Sequence, residues 1–134
     1  MERILVIDDD LEIQRAVRRT LEPAGYEIVT AKDGGIAMEI FRTTEPALIV
    51  LDLRLPGKSG RDLCREIRNE STSVPILVLS AISEETERVL LLELGADDYM
   101  TKPFSPRELS AWVRAAMARL KKAETRMRCV QPDG

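Results

Sequence analysis

The sequence predicts an α/β protein with one doubly wound, five-stranded parallel sheet, and three observations carry that prediction. Five short strand-like runs begin near Arg3, Tyr26, Leu48, Pro75 and Asp98, at intervals of 23, 22, 27 and 23 residues, the length of a compact strand–helix unit. Between them lie segments whose apolar residues recur at helical spacing. The third and fourth runs, 47–51 and 75–79, are apolar without alternation, as strands covered on both faces are. Five units are too few for a closed barrel, and right-handed crossovers leave an open doubly wound sheet as the simplest closure.

The first strand, residues 3–7, ends in Asp8-Asp9-Asp10, with Asp10 positioned to cap a helix over 11–22. Ile13, Val17, Leu21 and Ala24 form that helix's apolar stripe, Arg15, Arg18 and Arg19 its outer face, and Pro23 and Gly25 close it. Residues 26–31 are β-branched and aromatic enough for a second strand. Asp33 or Gly34 then starts a helix buried through Ala37, Ile40 and Phe41, which Glu45-Pro46 ends. The third strand, 47–52, leads through a turn at Pro56-Gly57 into a helix over 59–69 with Leu63, Cys64 and Ile67 inward. The fourth, 75–80, precedes a helix capped by Ser83 and stopped at Gly95. A short fifth strand, 98–101, runs into Lys102-Pro103. Ser105-Pro106-Arg107-Glu108 then reads as a capping box for a last helix striped by Leu109, Trp112, Val113, Ala116, Met117 and Leu120. From Lys121 the pattern stops, so residues 1–121 read as one domain and 122–134 as a charged linker or disordered tail.

Composition narrows the function classes. With 134 residues, 44% hydrophobic and 32% charged, the chain can bury a core without disulfide or metal staples. A formal charge of −3 gives no electrostatic footprint for nucleic acid, so any DNA contact belongs to something attached. The absence of histidine removes imidazole bases and ligands. Cys64 and Cys129 have no metal-ligand or redox-motif spacing, and with neither a signal-peptide core nor a membrane-length apolar run the cytoplasm is the expected location.

The chemistry concentrates where strands end. Strand one ends at Asp8-Asp9, strand three at Asp52, strand four at Ser80, and strand five leads to Lys102. Parallel strands lie about 4.8 Å apart, so these side chains share one crevice at the carboxyl rim. Each alone has a plain structural reading: the acids as helix caps, Ser80 as a turn residue, Lys102 as a solvated turn. Together, three acids, a hydroxyl and an ammonium are the parts of phosphoryl transfer: a carboxylate nucleophile, an all-oxygen site suited to Mg²⁺, and groups that hold the transferred oxygens.

Four segments carry a family resemblance: Val6-Ile7-Asp8-Asp9-Asp10, Leu51-Asp52-Leu53-Arg54-Leu55-Pro56-Gly57-Lys58-Ser59-Gly60, Leu79-Ser80-Ala81, and Gly95-Ala96-Asp97-Asp98-Tyr99-Met100-Thr101-Lys102-Pro103-Phe104. They resemble the receiver domain of two-component response regulators, and the last is most similar to the OmpR/PhoB-type transcription-factor branch. The resemblance implies a flavodoxin-like sheet in the order 2-1-3-4-5 and a cis Lys102-Pro103 bond. It makes Asp52 the acceptor of a phosphoryl group from a sensor histidine kinase, with Asp8, Asp9, Asp52 and the Arg54 carbonyl on Mg²⁺. Lys102 and Ser80 hold phosphoryl oxygens, and Tyr99 is the aromatic switch.

It further implies a homodimer, formed on phosphorylation, through the fourth helix, fifth strand and fifth helix. Arg88 with Glu108 and Glu93 with Arg114 would pair across it. Val89-Leu90-Leu91-Leu92-Glu93-Leu94 is more apolar than one buried stripe requires, which fits such a surface. Trp112 departs from the pattern, since a basic residue is usual there to meet Asp98. Arg54 and Ile82, flanking the water that would attack an aspartyl phosphate, are expected to slow its loss. An attached effector domain would bind DNA; neither nucleic acid nor membrane is expected to bind this chain directly.

Three rivals are weaker. A haloacid-dehalogenase-like Mg-dependent phosphatase shares the strand-end aspartate but wants a second acid where Arg54 stands. A nucleotide or flavin module would need a glycine-rich turn in place of Asp8-Asp9-Asp10. A docking adaptor without phosphoryl chemistry has no need of the full acid, hydroxyl and lysine set.

Overall fold

The computed structural model of the chain describes residues 2–81 and 85–130, with the backbone alone described at 85–87 and 125–130. Five parallel strands, β1 (Arg3–Ile7), β2 (Glu27–Ala31), β3 (Leu48–Asp52), β4 (Ile76–Ser80) and β5 (Asp98–Thr101), form one sheet in the order β2-β1-β3-β4-β5. Five helices alternate with them: α1 (Leu11–Leu21), α2 (Gly34–Thr44), α3 (Gly60–Glu70), α4 (Glu85–Glu93) and α5 (Pro106–Val130). The doubly wound architecture is as the sequence predicts, and the strand order is the one the resemblance implies. The Lys102-Pro103 peptide is cis.

The two central strands are apolar on both faces because both faces are covered: every residue of β3 and of β4 is buried. One layer packs Leu5, Ile49 and Ile76 against Phe41 of α2 and Leu63 and Ile67 of α3. The other packs Ile4, Val50 and Leu77 against Val17 and Leu21 of α1 and Leu109 and Val113 of α5. Cys64, fully buried in the first layer, has its thiol pushed up by burial, away from the thiolate that cysteine chemistry needs.

Polar side chains cap the helices, Asp10 as expected and Ser59 in addition. Asp10 accepts from the Glu12 N–H, Asp33 from that of Ile36 and Ser59 from that of Asp62, each satisfying a donor that the first turn leaves open. Ser83 lies outside the described residues. At Ser105 the hydroxyl accepts from the Glu108 N–H, the first half of the expected capping box.

Two expectations need correction. The buried stripe of α1 is Gln14, Val17 and Leu21, while Ile13 is only partly covered and Ala24 is exposed in a 3-10 turn (Glu22–Ala24) beyond the helix. A polar residue holds a core position there because it has a partner, described below. Secondly, α5 does not stop near Leu120, where its apolar stripe ends: its backbone continues as helix to Val130. The apolar stripe does end, and Lys121–124 are exposed, but Lys, Ala, Glu, Arg and Met are strong helix formers, so intrinsic propensity extends the helix past its packing.

Candidate functional site

The register of the sheet builds the site. Ile7 of β1 pairs with Leu51 of β3, so Asp8 and Asp52, one residue further on, stand side by side at the carboxyl rim. Asp52 pairs with Leu79 of β4, which puts Ser80 one step beyond on the other flank, and Ser80 in turn pairs with Thr101 of β5. The Lys102 N–H donates to the Ser80 carbonyl at 2.8 Å, holding the chain beside β4 as it leaves the sheet.

Lys102 then reaches across the rim. Its Nζ lies 2.9 Å from Asp8 Oδ2 and 3.3 Å from Asp52 Oδ1, an ammonium shared by two buried carboxylates. Asp9 is exposed at the mouth, and one oxygen from each of Asp8, Asp9 and Asp52 fits within 4.8 Å of the others. Of the residues singled out from the sequence, Asp8, Asp9, Asp52 and Lys102 are brought together directly. Ser80 is buried at the end of the adjacent strand. Arg54 sits just outside with its side chain in solvent, and its backbone N–H donates to the Asp52 carboxylate. Ile82 lies outside the described residues.

The electrostatics are unbalanced. Burial pushes the Asp52 carboxyl above its usual pKa, the Asp8 charge adds to the rise, and Lys102 offsets only part of it. For Lys102 burial acts downward, but its bond to Asp8 and the fields of Asp8 and Asp52 outweigh that and hold the ammonium above its ordinary value. One cation therefore serves three acids. Three hard oxygen donors at this spacing, with water at one side, suit a small divalent cation of the magnesium type.

The arrangement is held by groups that motif reading did not single out. Gln14, the buried polar residue of α1, donates from Nε2 to the Asp8 carbonyl at 2.6 Å, and the Asp10 N–H donates to Asp8 Oδ1 at 2.9 Å. Its place on the stripe with Val17 and Leu21 was a readable signal, because an amide at a core position requires a partner. Gly60 closes the other side: its N–H donates to the Leu53 carbonyl at 2.9 Å, and a Cβ there would come within 2.5 Å of the Asp52 carbonyl oxygen. Only glycine lets α3 begin this close to the end of β3.

Away from the rim, Tyr99 pairs with Val78 and is 4% exposed, its buried hydroxyl without a hydrogen-bond partner among the described residues. The Arg88 guanidinium lies 5.9 Å over its ring. Glu93, Glu108 and Arg114 are exposed on α4 and α5, whereas Asp98 accepts from the Trp112 indole N–H at 3.0 Å within the chain. Leu91 is buried, and Val89 and Leu92 point outward, so α4 carries more apolar surface than its core contact uses.

Comparison with known proteins gives a consistent result. Residues 4–114 match the family model for the response regulator receiver domain. The chain is 48% identical over 118 residues to the alkaline phosphatase synthesis transcriptional regulatory protein PhoP of Bacillus subtilis, covering 88% of this chain and 49% of that protein. It is 47% identical over 124 residues to the probable transcriptional regulator ycf27 of Porphyridium aerugineum, covering 92% and 51%. The chain thus spans about half the length of the curated relatives it matches. Among solved structures, the receiver domain of the Francisella response regulator 1452 superposes with a TM-score of 0.84 at 32% identity, covering 90% of this chain and 99% of that one. The BeF3-activated N-terminal receiver domain of Klebsiella pneumoniae RstA superposes with a TM-score of 0.82 at 32% identity, covering 86% and 97%. An acid-rich rim reached by one lysine, on a sheet of this order, and a family match over most of the chain agree: the chain belongs to the response regulator receiver domain family, in its OmpR/PhoB-type branch.

Proposed function

We propose that this chain is a phosphoacceptor switch. Asp52 takes a phosphoryl group from a phosphohistidine of a sensor kinase: a carboxylate oxygen forms the new O–P bond as the P–N bond breaks, and the leaving imidazole is protonated from solvent. The observation that carries this reading is the Lys102 ammonium within 3.3 Å of Asp52 and 2.9 Å of Asp8, at a rim that still holds excess negative charge. A magnesium ion on Asp8, Asp9, Asp52 and the Arg54 carbonyl would neutralise the incoming phosphoryl oxygens. Lys102 orients one of those oxygens and the Ser80 hydroxyl another.

The modification adds about −1.5 to −2 charge and three acceptor oxygens. Ser80, drawn to them, moves the segment joining β4 to α4, and Tyr99 fills the space vacated. The α4-β5-α5 face then favours association of two chains, with Arg88 meeting Glu108 and Glu93 meeting Arg114 across the pair. An effector domain following the 122–134 segment, helical as far as Val130, would turn that association into control of transcription, in the cytoplasm. Among the described residues, no helix is long and apolar enough to cross a membrane.

The test is phosphorylation by a small acyl phosphate with Mg²⁺, read by intact mass. One added phosphate is expected, and none in Asp52→Ala. Continued turnover of a phosphate ester, or phosphate retained by Asp52→Ala, would refute the proposal. Arg54 is expected to slow loss of the phosphoryl group, as is Ile82. An Arg54→Asn, Ile82→Glu variant should shorten its half-life, and an unchanged half-life would remove that assignment.

A further inference from the structure

Asp98 opens β5 beside Tyr99, and both oxygens of its carboxylate are engaged within its own chain. Oδ1 accepts from the Tyr99 backbone N–H at 2.7 Å, and Oδ2 accepts from the Trp112 indole N–H at 3.0 Å. Trp112 packs partly buried against the α1–α5 layer of the core, leaving the rest of its ring at the surface. It is the only tryptophan in the chain.

The same face offers groups that one copy does not use. Val89 and Leu92 are 47% and 43% exposed. Arg88 and Glu108 are opposite in charge and line one groove of about 420 Å³, yet no ion pair joins them among the described residues. A two-fold interface is self-complementary, so opposite charges that do not close on each other within a chain can each meet the other's counterpart in a second copy. Aromatic groups at the centre of such a contact, ringed by charges, carry most of its energy.

From this arrangement we infer that Trp112 is the anchor on which a second copy of this chain seats, and that Asp98 is withdrawn from pairing between copies. The inference rests on the phosphorylation-dependent association proposed above and assigns its specificity. The Trp112 ring adds to the apolar area that Val89 and Leu92 expose on α4. Asp98, with each oxygen accepting from an N–H of its own chain, is oriented by Tyr99 and Trp112 rather than by a partner's cation. A related chain with a basic side chain in place of Trp112 would lose the apolar contact, so this chain selects its own copy.

The experiment follows self-association of the 134-residue chain by sedimentation, with Mg²⁺ and with or without beryllofluoride as the phosphoryl mimic, alongside the emission of its single tryptophan. Beryllofluoride is expected to drive association, to shift the emission to the blue and to reduce acrylamide quenching, with both optical changes tracking protein concentration as the association does. Trp112→Ala should weaken association roughly tenfold or more, the loss expected of an anchoring aromatic. Trp112→Phe keeps a ring but not the N–H and should weaken it less, by about threefold at most. If Trp112→Ala fails to fold, the Phe variant and the quenching of the unsubstituted chain decide. Association with no change in quenching, or a folded Trp112→Ala that associates like the unsubstituted chain, would overturn the assignment of Trp112. An unsubstituted chain that takes up beryllofluoride but stays monomeric would overturn the association reading itself.

Discussion

The two rims of the sheet solve the problem of a semi-buried cation in opposite ways. At the amino rim, Arg68 in the last turn of α3 donates to the Gly95 carbonyl through Nε and Nη2 at 3.0 and 2.6 Å, and to the Ser71 and Val74 carbonyls through Nη1 at 3.1 and 2.7 Å. Its Nη2 also meets Asp97 Oδ2 at 3.0 Å, and that oxygen accepts from the Ile76 N–H at 2.7 Å. One charge closes a helix end, two strand starts and the turn at Gly95. At the carboxyl rim, one ammonium is shared between Asp8 and Asp52 with Asp9 nearby, and the Asp52 carboxyl is pushed up. The satisfied rim is a clasp. The other stays unsatisfied until further positive charge arrives, a condition that favours reaction over rigidity.

The contrast makes quantitative predictions. Arg68→Ala should be the most destabilising of the changes considered, costing about 3 kcal/mol, because it leaves several partly buried carbonyls without a donor. Urea unfolding measures it, and the metal response of the folded variant should be unchanged. A loss below about 0.5 kcal/mol, the scale of an ordinary surface substitution, would mean that solvent replaces the guanidinium freely and that the clasp is not one. Lys102→Met should cost less, about 2 kcal/mol. It breaks a buried pair, but Asp52, whose carboxyl burial already pushes up, can take a proton, which relieves part of the penalty. A Lys102→Met loss equal to that of Arg68→Ala would erase the distinction between the rims.

These two rims were not equally legible in the sequence. The carboxyl rim could be read because its residues end apolar strands: Asp52 after 47–51 and Ser80 after 75–79 mark a place where a buried run stops at a polar group. Strand spacing then brought Asp8, Asp52 and Lys102 together without knowledge of any distance. Arg68 gave no such signal, since an arginine on the polar side of an amphipathic helix looks like every solvated arginine, and its partners are mostly the backbone carbonyls of Ser71, Val74 and Gly95, with the Asp97 carboxylate. Gln14 lay between these cases: its helical phase with Val17 and Leu21 was visible, but the acceptor was not. The extension of α5 past Leu120 was hidden for a different reason, because periodicity reports packing and the last turns depend on propensity alone.

The smallest expected effect is also the one with opposite sign. Asp52→Asn keeps the shape of the side chain and removes the charge that burial and Asp8 penalise, at the cost of the 3.3 Å contact to Lys102. Because the folded-state pKa of Asp52 is raised above its usual 3.8, the folded protein holds this proton more tightly than the unfolded chain. The penalty is therefore absent below the unfolded value, grows as pH rises from there through the folded pKa, and is complete above it. In metal-free buffer at neutral pH, Asp52→Asn should stabilise the protein by about 0.5–2 kcal/mol, the range usual for relief of a functional strain. The advantage should shrink as pH falls through the folded pKa of Asp52, and Mg²⁺ should diminish it by stabilising the unsubstituted chain, since a ligand that binds only the folded state shifts unfolding in its favour. Thermal melts over a pH series with chelator, repeated with Mg²⁺, measure all of this. A destabilised Asp52→Asn at neutral pH would mean that Lys102 already balances the carboxyl rim, and the two ends of the sheet would then differ in geometry but not in strain.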